Sequence, residues 1–215
     1  DRAGVVVRDH KGEYISLTGN QIGVLLLDYL IAIKKENGSL KENAVMIKSI
    51  VSTNMAKKIA EKNGVHAMDV LTGFKYIGEK IKEFEMTGEY SYLFGFEESN
   101  GYLAGTYARD KDAIVASMLI AEMACYYHLK GMTLYDALCS LYEEYGFFEE
   151  QCVSITLSGL DGSQRIKAIG KALRENPPVS FAGIKVEKIR DYQTGIVKHA
   201  GTGAEESTGL PKSDV

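Results

Sequence analysis

The sequence has no surplus of positive charge. Its 25 lysines and arginines are outnumbered by 29 aspartates and glutamates, for a net charge of −4. That balance excludes the basic face that grips nucleic acid and the polybasic signal that holds a chain to an anionic membrane. Cysteine is scarce and odd in number. Cys125, Cys139 and Cys152 lack metal-ligand spacing, so reduced thiols in the core are expected. The four histidines, His10, His66, His128 and His199, share no spacing, and none reads as catalytic. A phosphate-cradling glycine loop is missing, because Gly101-x-x-x-Gly105 is too open to count as one. No internal repeat is present. The longest apolar run, Ala113 to Leu129, approaches membrane-spanning length but is interrupted by Glu122 and contains His128, so it reads as a buried helix. What remains is a soluble, globular, cytoplasmic chain of 215 residues, enough for one large or two small domains.

What is present is an alternation of strand-like and helix-like periodicities. Val5-Val6-Val7 and Tyr14-Ile15-Ser16-Leu17 flank the turn Asp9-His10-Lys11-Gly12 and predict a hairpin. Thr18-Gly19-Asn20 caps a helix from Gln21 to Lys35 that Asn37-Gly38 ends. Strands follow at Ala44 to Val51, Val65 to Leu71 and Tyr90 to Phe94. Helices are predicted at Met55 to Lys62, Phe74 to Phe84, Asp112 to Leu129 and Thr133 to about Glu144. Strands separated by helices of this length imply βαβ units. The expected class is therefore α/β, with a mixed, largely parallel sheet covered by helices on both faces. The pattern changes near Tyr145-Gly146. Beyond it, Gln151 to Leu157 and Ile184 to Ile189 alternate as strands around a helix from Gly162 to Arg174, and Pro177-Pro178 breaks the chain. Thr202 to Gly209 is polar and glycine-rich and predicts a mobile loop. This latter part reads as an incomplete α+β domain.

The chemistry concentrates in Gly95-Phe96-Glu97-Glu98-Ser99-Asn100-Gly101-Tyr102, read as a loop at the end of a buried strand. Glycines permit a sharp turn and close backbone approach. Adjacent carboxylates and a serine offer acceptors and a donor to neighbouring hydroxyls, which suits a sugar better than a phosphate. A solvated acidic turn is the plain alternative.

The octet resembles the sugar-binding loop of the α-D-phosphohexomutases, the phosphoglucomutase/phosphomannomutase family, whose pattern is Gly-Glu-Glu-Ser-Gly-His or a close variant. Three further stretches resemble family segments in the same order. Asp1-Arg2-Ala3-Gly4 looks like the tail of the magnesium loop, Thr72-Gly73-Phe74-Lys75 like the substrate-binding Thr-Gly turn, and Arg109-Asp110-Lys111-Asp112 like the Lys-Asp segment that opens the long helix after the sugar loop. The Phe-Glu-Glu-Ser-x-Gly-Tyr form is closer to the bacterial phosphoglucomutase and phosphopentomutase branch. Phe96 departs from the family pattern, and Tyr102 stands near the place of the common histidine.

The resemblance implies an internal fragment. Residues 1–16 would end the family's second domain, 17–145 would form its third, and 146–215 part of its fourth. The C-terminal phosphate loop would lie beyond Leu210-Pro211-Lys212-Ser213. By the same resemblance, Glu97, Ser99, Thr72, Gly73 and Arg2 bind substrate, Lys111 is catalytic or binds phosphate, and Asp1 is one magnesium ligand. Glu98 is expected to point away as a structural partner. The implied parent is an intramolecular phosphotransferase that interconverts hexose 1-phosphate and hexose 6-phosphate. It would work through a phosphoserine and a hexose 1,6-bisphosphate, with Mg2+ as cofactor and the remaining domains as partners. No bound magnesium and no turnover are expected of this chain by itself. Two other readings stand beside it. One is a non-catalytic sugar-phosphate-binding or scaffolding module of the same fold; the other is a parent acting as phosphomannomutase or phosphopentomutase. For Lys111 the plain alternative is a surface lysine paired with Asp110 or Asp112.

Overall fold

The computed structural model describes residues 1–151 and 155–213. The chain divides into two compact units, Asp1–Glu150 and Gln151–Val215.

The first unit opens with an antiparallel hairpin of β1 (Val5–Arg8) and β2 (Tyr14–Leu17). Its turn is closed by Asp9, whose Oδ1 accepts from the backbone N–H of Lys11 at 2.8 Å and of Glu13 at 2.9 Å, the local bonding that favours Asp in turns. Helix α1 (Gly19–Glu36) starts on a reciprocal cap between Thr18 and Gln21. Leu25, Leu26 and Leu27 are all buried along with seven other residues of α1, the mark of a helix at the centre of a core. Then come β3 (Ala44–Ser49), α2 (Met55–Lys62), β4 (His66–Val70), α3 (Phe74–Thr87), β5 (Ser91–Glu97), β6 (Gly101–Ala104), α4 (Ala113–Leu129) and α5 (Leu134–Tyr145).

The sheet order is β4-β3-β5-β6. β3 runs parallel to both β4 and β5, and β6 closes the edge antiparallel to β5. Every residue of β3 is buried, as expected of a parallel strand covered on both faces. Ala44 and Met46 join the cluster built with α1, α2, α4 and α5, while Val45 and Ile47 join the one built with α3. A register shift opposite Val45 and Met46 lets Leu93 and Phe94 enter the same cluster although they are consecutive.

Three expectations for this unit are corrected. The octet is not simply a loop, because β5 extends through Glu97 and β6 begins at Gly101; four residues were too short a run to read as a strand. Helix α4 is not buried throughout. Ala116, Ile120, Met123 and Tyr127 form one buried stripe, while Ile114 is 83% and Leu129 87% exposed. Its apolar composition concealed which face packs, and α1 fills the centre instead. Cys125 lies on that open side and is exposed; Cys139 is half-buried, both are free thiols, and Cys152 lies outside the described residues. The first unit includes residues 147–150, where Asn20 Nδ2 donates to Glu150 and the Lys58 ammonium sits 4.8 Å from the Phe148 ring centre.

The second unit contains α6 (Gly159–Glu175), the two-residue pair β7 (Ser180–Phe181) and β8 (Ile184–Lys185), and an antiparallel meander of β9 (Lys188–Asp191), β10 (Ile196–His199) and β11 (Glu205–Ser207). The strand expected over Ile184 to Ile189 is split in two. Ala182 and Gly183, both at positive φ, turn β8 back onto β7, and β9 starts afresh. The glycine-rich tail, expected as a mobile loop, carries β11, paired with Ile196 to Lys198. Of the strand expected over Gln151 to Leu157, residues 152–154 lie outside the described residues, and 155–157 form no strand. Among the described residues no helix is long and apolar enough to cross a membrane.

Candidate functional site

Strands β3, β4 and β5 all end at one edge of the sheet, the carboxyl edge where open α/β folds take ligands. β5 delivers Glu97 to this edge, and Glu97 pairs with Gly101 across the hairpin. Glu98, Ser99 and Asn100 form the turn, with Asn100 at φ +65°, a conformation that asparagine tolerates better than most residues. The turn rests directly on the first residue of α1. A Cβ on Gly19 would lie 2.0 Å from the Glu98 carbonyl oxygen, so only glycine fits there. One turn further, Gly23 makes room for the Phe96 ring.

The two adjacent glutamates have different surroundings. Glu97 is 5% exposed, and its Oε1 accepts from the Gly73 N–H at 2.7 Å. Gly73 adopts φ 122°, ψ 122° and serves as the N-cap of α3, a conformation that only glycine takes without strain. Thr72 is therefore exposed just before the cap rather than acting as the cap itself. Among the described residues no fully buried side-chain oxygen or nitrogen lacks a partner. The second Glu97 oxygen makes no bond to the described residues, so it reaches solvent. Glu98 is engaged internally: its Oε2 accepts from Ser49 Oγ at 2.9 Å and from Ser52 Oγ at 3.2 Å.

The other predicted residues gather around this pair. Arg2 donates through Nη1 to the Ser99 carbonyl. Beside it, Ala3 and Asn100 exchange two hydrogen bonds, both 3.2 Å, so the N-terminal segment is stitched to the turn. The Ser99 side chain carries no hydrogen bond to the described residues. Lys111 precedes Asp112, which caps α4 through bonds to Ile114 N and Val115 N. Its aliphatic stem lies over Gly101, where an added Cβ would meet Lys111 Cδ at 2.8 Å, and its ammonium sits 5.7 Å from the Phe74 ring centre. The same ammonium pairs with Asp110 Oδ1 at 2.9 Å, and this hydrogen bond lowers the Asp110 carboxyl below its ordinary value. Lys111 thus forms the ion pair with Asp110 while its stem packs on Gly101 at the end of the turn. Tyr102 is 1% exposed and donates to the Gly19 carbonyl at 3.3 Å; burial raises its phenol well above the usual range. It belongs to the core rather than to a ligand surface.

Asp1 is exposed and enters none of the ion pairs of the described residues. Among the described residues no three metal-binding side chains come together. Sequence reading gives Lys48 and Ser49 no site role and takes Ser52 as a capping candidate for the helix from Met55; all three lie under the turn. The signal was available: Lys48 is a lone charge in the apolar run Ala44 to Ser49, and it is 0% exposed. In the second unit, cavities of about 630 and 730 Å³ contain none of the predicted site residues.

Comparison with known proteins identifies the family. Residues 18–145 match the family described as phosphoglucomutase/phosphomannomutase, alpha/beta/alpha domain III. A curated relative, the phosphoglucomutase of Staphylococcus aureus strain MSSA476, is 39% identical over 215 residues, covering 100% of this chain and 38% of its own. The chain thus spans well under half of that relative's length. Among solved structures, the pp63/parafusin phosphoglucomutase of Paramecium in its open form superposes with a TM-score of 0.54 at 14% identity. That match covers 94% of this chain and 32% of that one. An apo N-acetylglucosamine-phosphate mutase gives 0.51 at 13% identity over 82% of this chain and 39% of its own. These two likenesses concern the fold alone. With a third-domain match over more than half of its length, the chain belongs to the phosphoglucomutase/phosphomannomutase family.

Proposed function

We propose that this chain supplies the sugar clamp of a longer mutase that interconverts hexose 1-phosphate and hexose 6-phosphate. In this reading residues 1–16 end the enzyme's second domain, 17–145 form the third and 146–215 belong to the fourth. The observation that carries the proposal is the state of Glu97. A carboxylate held by one backbone N–H, with its other oxygen open at the carboxyl edge of the sheet, is preset to accept sugar hydroxyls. Such charge-assisted bonds are about twice as strong as neutral ones and depend on hydroxyl geometry. Ser99 and Thr72 place hydroxyls, and Gly73 a close backbone, beside it. Lys111 and Arg2 bring positive charge toward the phosphate of a bound sugar phosphate.

The resemblance supplies the rest of the reaction: a phosphoserine outside this chain and a hexose 1,6-bisphosphate that turns over between the two half-reactions. The clamp's task is orientation, since two different hydroxyls must be presented in turn for in-line attack. The described residues do not fit a magnesium site. That ion takes near-octahedral oxygen coordination, and Asp1 offers a single carboxylate, so Asp1 would be at most one ligand of a set completed elsewhere in the parent.

The test is Glu97→Ala in the full-length enzyme. Losing one charge-assisted bond costs about 1.5–3 kcal/mol, so kcat/KM should fall roughly ten- to a hundredfold, and Glu98→Ala should cost less. Glu97→Ala should also lose discrimination against deoxy-sugar phosphates. A Glu97→Ala enzyme that keeps its discrimination against deoxy-sugar phosphates, or a Glu98→Ala enzyme that loses it, would refute the assignment.

A further inference from the structure

The turn that carries the clamp is fixed from beneath by a polar network in an otherwise apolar layer. Ser49 Oγ and Ser52 Oγ lie 2.8 Å apart, and both reach Glu98 Oε2. Ser52 Oγ also accepts from the Glu98 backbone N–H at 3.1 Å. Two hydroxyl protons serve these contacts, and the Glu98 carboxylate is the terminal acceptor. Under the serines lies Lys48. Its ammonium donates to the Ser52 carbonyl at 3.0 Å and the Ser49 carbonyl at 3.4 Å, and it pairs with Asp69 Oδ1, its cross-strand partner on β4, at 3.0 Å. A continuous path of polar contacts therefore runs from Asp69 on β4, through Lys48 and the loop after β3, to the backbone of the β5–β6 turn.

A fully buried ammonium is a costly way to fill space, and a well-packed apolar side chain of similar volume is often as stable or more so. What Lys48 supplies that an apolar side chain cannot is direction: it draws the carbonyls of Ser49 and Ser52 to one point and so sets where the two serine hydroxyls stand. We infer that Lys48, Ser49 and Ser52 are positioning residues for the sugar clamp, and that Glu98 is their anchor rather than a substrate ligand. Held at Glu98 on one side and at the Gly73 N–H on the other, Glu97 keeps its free oxygen aimed at the site. The catalytic part of this inference rests on the sugar-clamp reading above.

The test uses Ser52→Ala, with Ser52→Thr as the conservative variant that restores the hydroxyl. Hydrogen exchange on this chain should show the amides of residues 98–101 exchanging about tenfold faster in Ser52→Ala, those of α3 unchanged, and wild-type protection regained in Ser52→Thr. In the full-length enzyme, Ser52→Ala should raise KM for the hexose phosphate about tenfold and change kcat less than threefold, again with rescue by threonine. Wild-type exchange in Ser52→Ala overturns the anchoring. Faster exchange with an unchanged KM overturns the link to substrate. A wild-type parent that binds no sugar phosphate, while Ser52→Ala still loosens the turn, refutes the sugar-clamp reading and leaves the anchoring intact. Lys48→Met gives a second arm: if it folds and its turn exchanges as slowly as wild type, the role assigned to Lys48 is wrong.

Discussion

Gly19→Ala isolates the contact on which the clamp turn rests. An added Cβ would lie 2.0 Å from the Glu98 carbonyl oxygen and 2.7 Å from Asn100 N, whereas ordinary contact begins at 3.4 Å. Both neighbours are backbone atoms, so no side chain can swing aside, and the turn has to retreat by more than about 1 Å. Overpacking of this kind costs about 1–3 kcal/mol. Against it stands the helix preference for alanine over glycine, worth roughly 0.5–1 kcal/mol, because residue 19 is the first of α1. The net is a loss of up to about 2.5 kcal/mol. For a chain of this size, each kcal/mol lowers Tm by roughly 2–4 °C, so the first unit's transition should fall by up to about 10 °C. The retreat also strains the bonds that Asn100 makes to Ala3 and that Glu98 makes to Ser52. Sugar-phosphate affinity of the parent should therefore drop along with stability. Thermal unfolding followed by calorimetry reads the first effect and ligand titration the second. A Gly19→Ala chain that melts at or above the wild-type temperature would refute the close packing of α1 against the turn.

Gly170→Ala is the opposite case. In α6 the added Cβ would meet only the flexible end of Arg174, at 3.4 Å, so denaturant unfolding should show the second unit gaining up to about 1 kcal/mol. Asp136 gives a pH signature. Its carboxyl is pulled down to about 2 by the Thr133 hydroxyl and N–H and by His10. Its contribution to stability is present above the ordinary value of 3.8 and lost as pH falls through about 2. Between pH 4 and 2, Asp136→Asn should lose less stability than wild type, and an unchanged acid slope would show that the bonds seen here are not formed in solution. Finally, the purified chain alone should not convert glucose 1-phosphate; sustained turnover above a mock preparation would contradict the division of labour proposed for the parent.

Much of the first unit was legible because its periodicities and caps agree. Thr18 and Gln21 announce α1, Thr133 announces α5, and a mostly apolar β3 between two helices calls for a parallel sheet. Pattern failed where composition and exposure part company. Helix α4 is rich in apolar residues on every side, so the sequence does not say that only the stripe from Ala116 to Tyr127 packs. In the second unit the apolar residues are short-spaced and poorly covered, with Phe181 at 65% and Ile184 at 75% exposed. There the strand pairings follow from local turns such as Ala182-Gly183, which alternation does not encode.

The candidate site divides along the same line. The octet's resemblance to a sugar-binding loop was visible in eight residues, but the different surroundings of Glu97 and Glu98 are set by groups far away in the chain. Glu97 is claimed by a backbone N–H at Gly73, and a peptide N–H leaves no trace in residue type beyond the glycine that lets it point there. Glu98 is claimed by two serine hydroxyls, and serines after a strand look like helix caps until the fold turns them under the hairpin. Only Lys48 could have flagged the network in advance. A lysine between Ile47 and Ser49, in a strand buried from end to end, has to find acceptors. The nearest acceptors are the carbonyls of its own loop and the carboxylate opposite on β4. Where a buried strand ends in a charge, the loop that follows is held in one shape, and a residue leaning on that loop inherits its rigidity. By that argument Glu98 is what makes Glu97 a defined acceptor rather than one of two interchangeable carboxylates.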